Sequence, residues 1–499
     1  MLLEMEKITK SYGNVTANSD VCFTLRKGEI HALVGENGAG KTTLMRILYG
    51  MESPTSGEIR LDGKGVSFAS PADAIAHKIG MVHQHFMLFP TFTIAENIVI
   101  GREPSKGIGF DRQAAAATVE QLGKQFGMPV DPRKKVADCS LGLQQRVEIL
   151  KVLHQGAEII ILDEPTGVLT PLEVGELLVA IKGLAAQGKS FILISHKLQE
   201  IMEIADRITV LRDGKVTGTV EAKDTDAEEL SRLMVGRELI QLSRKAAGTG
   251  KPVLEADNVT INGARTKPLL GGVSLQVNEG EIVGIAGISG NGQSELIQAI
   301  SGLMKIDGGS VKLLGQDVTG ATVKTIRERG LAHIPEDRYQ WGVAKDATVM
   351  ENGLMGHAGK HQRYGVLSGP GIRSMVGEWV SRFGIKTGSL STKAQYLSGG
   401  NLQKLIVARE LAQKTPFLIA AEPTRGVDVG AMEIIHGELL KKRDEGGAIL
   451  LVSSELTEIL KLSDRILVMF EGRIVGELAA DHATEEQISL LMAGGKAVG

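Results

Sequence analysis

No apolar run in the 499-residue sequence approaches the roughly 20 residues needed to cross a bilayer. Runs such as 157–162 and 448–452 are strand-sized. Cysteine is scarce: Cys22 and Cys139 leave no disulfide framework and suit a reducing compartment. A basic excess is missing as well. The net charge of −3 argues against a nucleic-acid surface, so no nucleic-acid partner is expected. Residues 1–6 have neither the basic nor the apolar region of a signal peptide. These deficits predict a cytosolic chain with no membrane span of its own.

What the chain has is a repeat. Its length exceeds the roughly 250–300 residues that one hydrophobic core usually supports. Gly35-Glu36-Asn37-Gly38-Ala39-Gly40-Lys41-Thr42 forms a complete phosphate-binding loop. Gly287-Ile288-Ser289-Gly290-Asn291-Gly292-Gln293-Ser294 keeps the same frame with its lysine replaced. Further landmarks recur in order about 250 residues on: Gly28 with Gly280, Gln84 with Glu336, Ser140 with Ser398, His196 with Ser454. Two domains follow, residues 1–237 and 252–499. Between them, residues 238–251 are rich in Lys, Arg, Gly and Ala and read as a linker.

Periodicity places these motifs. The runs 30–34 and 282–286 read as buried strands ahead of each loop. Leu44, Ile47 and Leu48, and likewise Leu296, Ile297 and Ile300, recur at helical spacing after it. Runs 157–162 and 417–420 read as parallel partner strands with acidic residues at their carboxyl ends, where open parallel sheets bind ligands. The Ala-rich stretch 112–126 predicts a helix in an inserted helical subdomain.

The glycines at 35, 38 and 40 let successive N–H groups turn toward a phosphate chain, and the following helix adds its positive end. Lys41 supplies charge to the β- and γ-phosphates, and the Thr42 hydroxyl is placed for Mg²⁺. A glycine turn with a solvated lysine is the plainer reading, and the flanking strand and helix argue against it. Asp163 and Glu164 end a buried strand, Asp163 to hold Mg²⁺ through water and Glu164 to polarise the attacking water. His196 follows the apolar run 191–194 and by itself reads equally as a core histidine.

The segment Leu397-Ser398-Gly399-Gly400-Asn401, with a worn copy at Cys139-Ser140-Leu141-Gly142-Leu143, completes a pattern that resembles the ATPase of ATP-binding-cassette transporters. The resemblance spans essentially the whole chain. It implies an α/β fold of two tandem P-loop ATPase domains, each a parallel-sheet core with a helical subdomain and a small antiparallel portion. It implies ATP binding by Gly35, Asn37, Gly38, Gly40, Lys41, Thr42 and Thr43, with Tyr12 stacked on adenine. Gln84 and His196 join Glu164 in catalysis; Thr42, Gln84 and Asp163 hold the Mg²⁺. Without that pattern, Tyr12 reads as packing.

In this family two cassettes close head to tail, so one chain supplies both halves as a pseudo-dimer. The first loop is then paired with Ser398, Gly399, Gly400 and Asn401. The worn signature, with Ser140 and Gly142, is paired with Gly287, Gly292, Gln293 and Ser294. On that rule every defect falls in one composite site, which lacks the phosphate lysine, the aspartate (Ala421) and the histidine (Ser454). Glu422 survives there, as a residual catalytic group or as a solvated carboxylate.

Tandem cassettes with a worn second loop resemble importers of nucleosides and simple sugars. Segments 81–87, 290–296 and 332–338 lean toward the nucleoside branch, with a ribose- or galactose-type importer as the alternative. The implied partners are two transmembrane permease subunits and an extracytoplasmic substrate-binding protein or lipoprotein. The implied location is the cytoplasmic face of a bacterial membrane, as a peripheral subunit. A soluble cassette ATPase acting on ribosomes or DNA would call for a long charged linker or a coiled-coil arm, and neither is seen. A non-catalytic nucleotide sensor is disfavoured by Lys41 and Glu164.

Overall fold

A computed structural model describes residues 1–13, 15–84, 86–107, 109–167, 169, 171–195, 197–236, 250–263, 267–288 and 290–495. His85, His196 and almost all of the expected linker lie outside the described residues. The chain divides into two compact units, Met1–Leu239 and Ile240–Gly499.

In the first unit, β1 (Leu3–Tyr12), β2 (Val15–Leu25), β4 (Ser56–Leu61) and β5 (Lys64–Val66) form an antiparallel sheet in the order β2-β1-β4-β5. The larger sheet is built from β3 (Ile30–Gly35), β6 (Ile79–Val82), β7 (Ile159–Asp163), β8 (Ser190–Ile194), β9 (Arg207–Arg212) and β10 (Lys215–Glu221). Its order is β10-β9-β3-β8-β7-β6, parallel throughout except for the edge strand β10. Strands β3, β7 and β8 are buried at every position. That burial on both faces explains why each reads as a continuous apolar run instead of alternating. The helix α1 (Lys41–Leu48) follows β3 directly, with Leu44, Met45, Ile47 and Leu48 turned into the core. A helical group, α2 (Ile94–Val99), α3 (Arg112–Gln125) and α4 (Leu141–His154), lies between β6 and β7 in sequence, and α5 (Pro171–Ala186) follows β7.

The second unit repeats this plan. Its antiparallel sheet runs β12-β11-β14-β15, from β11 (Pro252–Ile261), β12 (Leu270–Asn278), β14 (Gly308–Leu313) and β15 (Gln316–Asp317). Its main sheet runs β16-β17-β18-β13-β19-β20, from β13 (Ile282–Ala286), β16 (Leu331–Ile334), β17 (Phe417–Ala421), β18 (Ala448–Val452), β19 (Arg465–Phe470) and β20 (Arg473–Ala479). The helices α6 (Gln293–Ile300), α7 (Val349–Leu354), α8 (Gly369–Arg382) and α9 (Gly399–Leu411) occupy matching places. An ion pair is duplicated as well. Arg207 reaches Glu29 at 2.9 Å in one unit, and Arg465 reaches Glu281 at 2.9 Å in the other.

Boundaries shift only slightly from expectation. The strand expected from Ala157 begins at Ile159, because the Ala157 N–H still caps the end of α4 by donating to the Val152 carbonyl. The expected helix over 112–126 ends at Gln125, with Phe126 as its C-cap.

Candidate nucleotide site

The β3–loop–α1 turn is shaped by its glycines. Gly38 and Gly40 adopt φ of 84° and 98°, in the left-handed region that side chains avoid. At Gly40 a Cβ would also strike the Ala17 carbonyl at 2.3 Å, so both conformation and space require glycine. The Lys41 side chain is folded back over the loop and 6% exposed, its Nζ donating to the carbonyls of Gly35 (2.7 Å) and Glu36 (3.0 Å). Burial pulls its pKa below the usual lysine range, while Glu164 and Asp163 oppose that shift. Thr42 is exposed at the start of α1, beside Asp163, whose charged form it favours.

Asp163 comes from the end of β7, the strand two places from β3 across β8. Its carboxyl is pushed up to about 6, first by burial and then by the neighbouring Glu164, with Lys41 opposing. Glu164 is half-buried in a left-handed conformation, φ 49°, which costs a non-glycine residue about 1 kcal/mol or more. Its N–H donates to the Ile194 carbonyl at 2.9 Å, which fixes that turn over the end of β8. The carboxylate accepts from the Gln84 amide at 3.0 Å. Lys41, Thr42, Gln84, Asp163 and Glu164 thus converge at the carboxyl ends of three parallel strands. Tyr12 lies near Thr43, its hydroxyl donating to Glu52, and is 47% exposed. Asn37 is exposed on the crest of the loop.

The second loop keeps the backbone and changes the chemistry. Gly290 and Gly292 are left-handed (φ 90° and 106°), as in the first loop. Gln293 is buried where Lys41 sits in the first, and its amide donates to the Ile288 carbonyl at 3.2 Å. It lies so close over Gly287 that a Cβ there would collide with it. Glu422 repeats the left-handed turn of Glu164 (φ 48°) and donates its N–H to Val452. Here both carboxylate oxygens are engaged by Ser454, through its N–H at 2.7 Å and its hydroxyl at 3.0 Å. Burial and then Glu458 push its pKa up to about 7, against those two hydrogen bonds. Glu422 is therefore half-protonated near neutrality and held on both oxygens.

The signature segments differ for a visible reason. Ser398 caps α9, and its hydroxyl accepts from the Asn401 side-chain amide at 2.9 Å. Asn401 in turn accepts from the Lys386 N–H at 2.8 Å. Leu143, at the matching place in the first unit, has no side-chain amide, and only its backbone N–H donates to the Ser140 hydroxyl, at 3.3 Å. Ser140 there donates to Glu173 at 3.4 Å, and that carboxylate presses on Gly142, where a Cβ would meet it at 2.3 Å. Two residues escaped sequence reading. Glu173 puts negative charge on the worn signature. Arg338 lies against Gly399 of the other and against Gly426 in the loop after β17, donating to the Arg425 carbonyl at 2.9 Å. Glu173 left no signal in sequence; Arg338 lay inside the segment 332–338 with nothing to single it out.

The family model described as ABC transporter matches residues 18–167 and again 270–425. This chain belongs to the ABC transporter family. Nucleoside import ATP-binding protein NupA of Lactococcus lactis subsp. cremoris is 47% identical over 99% of this chain and 98% of its own. Guanosine import ATP-binding protein NupO of Bacillus subtilis is 47% identical over 99% and 97%. Ribose import ATP-binding protein RbsA of Bacillus licheniformis is 40% identical over 99% and 100%. Among solved structures, archaeal ribosome recycling factor aABCE1, in its complex with ribosomal stalk protein aP1, covers 95% of this chain and 90% of that one. Its TM-score is 0.65 at 19% identity, a likeness of fold. No helix among the described residues is long and apolar enough to cross a membrane.

Proposed function

We propose that this chain is the ATP-hydrolysing subunit of a nucleoside importer, peripheral on the cytoplasmic face of a bacterial membrane, with hydrolysis confined to the first phosphate loop. One observation carries the asymmetry: Glu164 stands with Lys41, Gln84 and Asp163, whereas its counterpart Glu422 has Gln293 and Ala421 in place of the lysine and the aspartate. The nucleoside reading is supported by two relatives at 47% over whole chains, against 40% for a ribose counterpart. A ribosome-directed role has only a likeness of fold in its favour.

In this reading Lys41 leaves its two loop carbonyls for the β- and γ-phosphates of ATP. Glu164, positioned by Gln84, takes a proton from water as the water oxygen attacks the γ-phosphorus. The bond to the bridging oxygen breaks and ADP departs. His196 is proposed to contact the γ-phosphate and Tyr12 to stack on adenine. The buried Asp163, beside Thr42, is an oxygen donor whose raised pKa a nearby cation would lower, so Thr42, Asp163 and Gln84 fit Mg²⁺. When bound, that ion spreads the negative charge of the phosphates. The proposed composite pairing assigns Ser398–Asn401 to the first loop and Ser140–Leu143 to the second. It is supported by the way the sequence defects fall on one side of that pairing.

The proposed partners are two permease subunits and an external substrate-binding protein or lipoprotein. The test is co-purification with those subunits, then ATP turnover in proteoliposomes with nucleosides or pentoses supplied to the binding protein. Nucleosides should stimulate turnover and accumulate. Stimulation by ribose alone would replace this reading with the sugar importer.

A further inference from the structure

The two signature segments are flanked by opposite charges. Each opens a helix on a capping serine, Ser140 before α4 and Ser398 before α9, and the N–H groups at such a start attract anions. In the second unit the Arg338 guanidinium lies against this start, 2.9 Å from where a Cβ on Gly399 would stand. The first unit has Phe86 at that place in the repeat (338 − 86 = 252). There the flanking group is instead the Glu173 carboxylate, which accepts from the Ser140 hydroxyl at 3.4 Å and lies over Gly142. The second unit has Ala431 in its place (431 − 173 = 258), and the first turn of its helix α10 (Val429–Asp444) holds no acidic residue. An acidic residue in a first turn is ordinary, since it suits the positive end of its own helix. Glu173 does more than that. It belongs to the first turn of α5, yet its carboxylate reaches the start of α4.

We propose that Glu173 is a built-in anion of the worn signature: its carboxylate takes the place at Ser140 and Gly142 that a γ-phosphate would need, and so keeps this signature from closing on a nucleoside triphosphate. The proposal rests on the pairing given above, in which Ser140–Leu143 serves nucleotide at the second loop. The γ-phosphate is the end of the nucleotide that such a helix start would meet. A carboxylate and a phosphate cannot both take one serine hydroxyl and one helix start, and two anions at contact distance repel strongly where water is partly excluded. The triphosphate must therefore displace Glu173 or forgo this signature. A diphosphate has no γ-phosphate and is indifferent to Glu173. The second loop then holds ATP little better than ADP. Ser398–Asn401, with a guanidinium beside it in place of a carboxylate, carries no such penalty.

The test uses the full chain with its first loop disabled by Lys41→Ala and Thr42→Ala, so that bound nucleotide reports on the second loop. Equilibrium affinities for a slowly hydrolysed ATP analogue and for ADP, both with Mg²⁺, are compared among chains carrying Glu173, Glu173→Gln or Glu173→Ala. Both substitutions should tighten the analogue about tenfold and leave ADP unchanged. The gain should shrink at about 1 M salt, where the Debye length is about 3 Å, and adding Ser140→Arg should cancel it. An equal gain for ADP would mark a general change in packing and overturn the proposal. An unchanged or weaker affinity for the analogue, with Ser140→Arg still weakening it, would overturn the proposal and leave the pairing standing. If neither Glu173 nor Ser140 affects the analogue, or none of the chains binds it, the pairing itself fails and the proposal with it.

Discussion

At Asp163 the chemistry turns on one proton. Its carboxyl, pushed up to about 6 by burial and by Glu164, is mostly ionised at neutral pH and mostly neutral a unit below 6. The Mg²⁺ dependence of ATP affinity should therefore weaken as pH falls from about 7 to 5, by up to tenfold per unit below 6. Titration calorimetry at stepped pH checks this, and a flat profile would contradict it. Glu422 gives the opposite kind of test, one of stability. Its pKa lies at about 7 in the folded unit against an ordinary 4.5, so between those values the folded state holds the extra proton. Stability should accordingly fall as pH rises from 4.5 to 7, and Glu422→Gln should flatten that slope in denaturant melts. For Lys41→Ala, the charge facing the phosphates is lost. ATP affinity at the first loop should drop roughly 100-fold and transport should cease, because a charge contact of this kind is worth several kcal/mol. Wild-type affinity and turnover would sink the assignment of that site.

Among the elements, the segment after β6 presents an apolar face to an outside partner. Its backbone is pinned to the helical group: the Phe89 N–H donates to Asn97 at 2.8 Å, and Lys151 donates to the Met87 carbonyl at 3.0 Å. The side chains of Met87, Phe89 and Phe92 nevertheless project, 55%, 53% and 43% exposed, with the two phenylalanine rings 5.2 Å apart. An apolar patch on a fixed backbone suits a permease contact. Changes at Phe86 and Phe89 should lower assembly with the permease in a pull-down while sparing basal ATP turnover; unchanged assembly in both would rule this out. The core strands, the loop helices and the left-handed glycines were legible because each follows from local residue pattern. Phe89 was not: sequence left burial and exposure equally open, and only the pinning by Asn97 and Lys151 decides for exposure. Glu173 and Ser454 were opaque for a different reason. Their effect depends on a carboxylate or hydroxyl brought in from a distant segment, and no local periodicity encodes such a meeting.

For the whole molecule, the central claim is that one duplicated fold carries one working hydrolytic centre. The duplication extends to sheet order, helix placement and even the Arg207–Glu29 and Arg465–Glu281 pairs, so the scaffold is not what separates the two halves. The difference lies in a few side chains around the loops: Lys41 against Gln293, Asp163 against Ala421, and Gln84 against Glu336. The signature helices should show the same inequality, Ser398→Arg stopping hydrolysis and Ser140→Arg disturbing mainly nucleotide held at the second loop. The most direct measurement is steady-state phosphate release from the assembled transporter carrying either Glu164→Gln or Glu422→Gln. Glu164→Gln should lower turnover by about 100-fold or more while ATP still binds, and Glu422→Gln should change it only a few-fold. Equal loss in the two variants would contradict the single-centre account and require two hydrolytic sites.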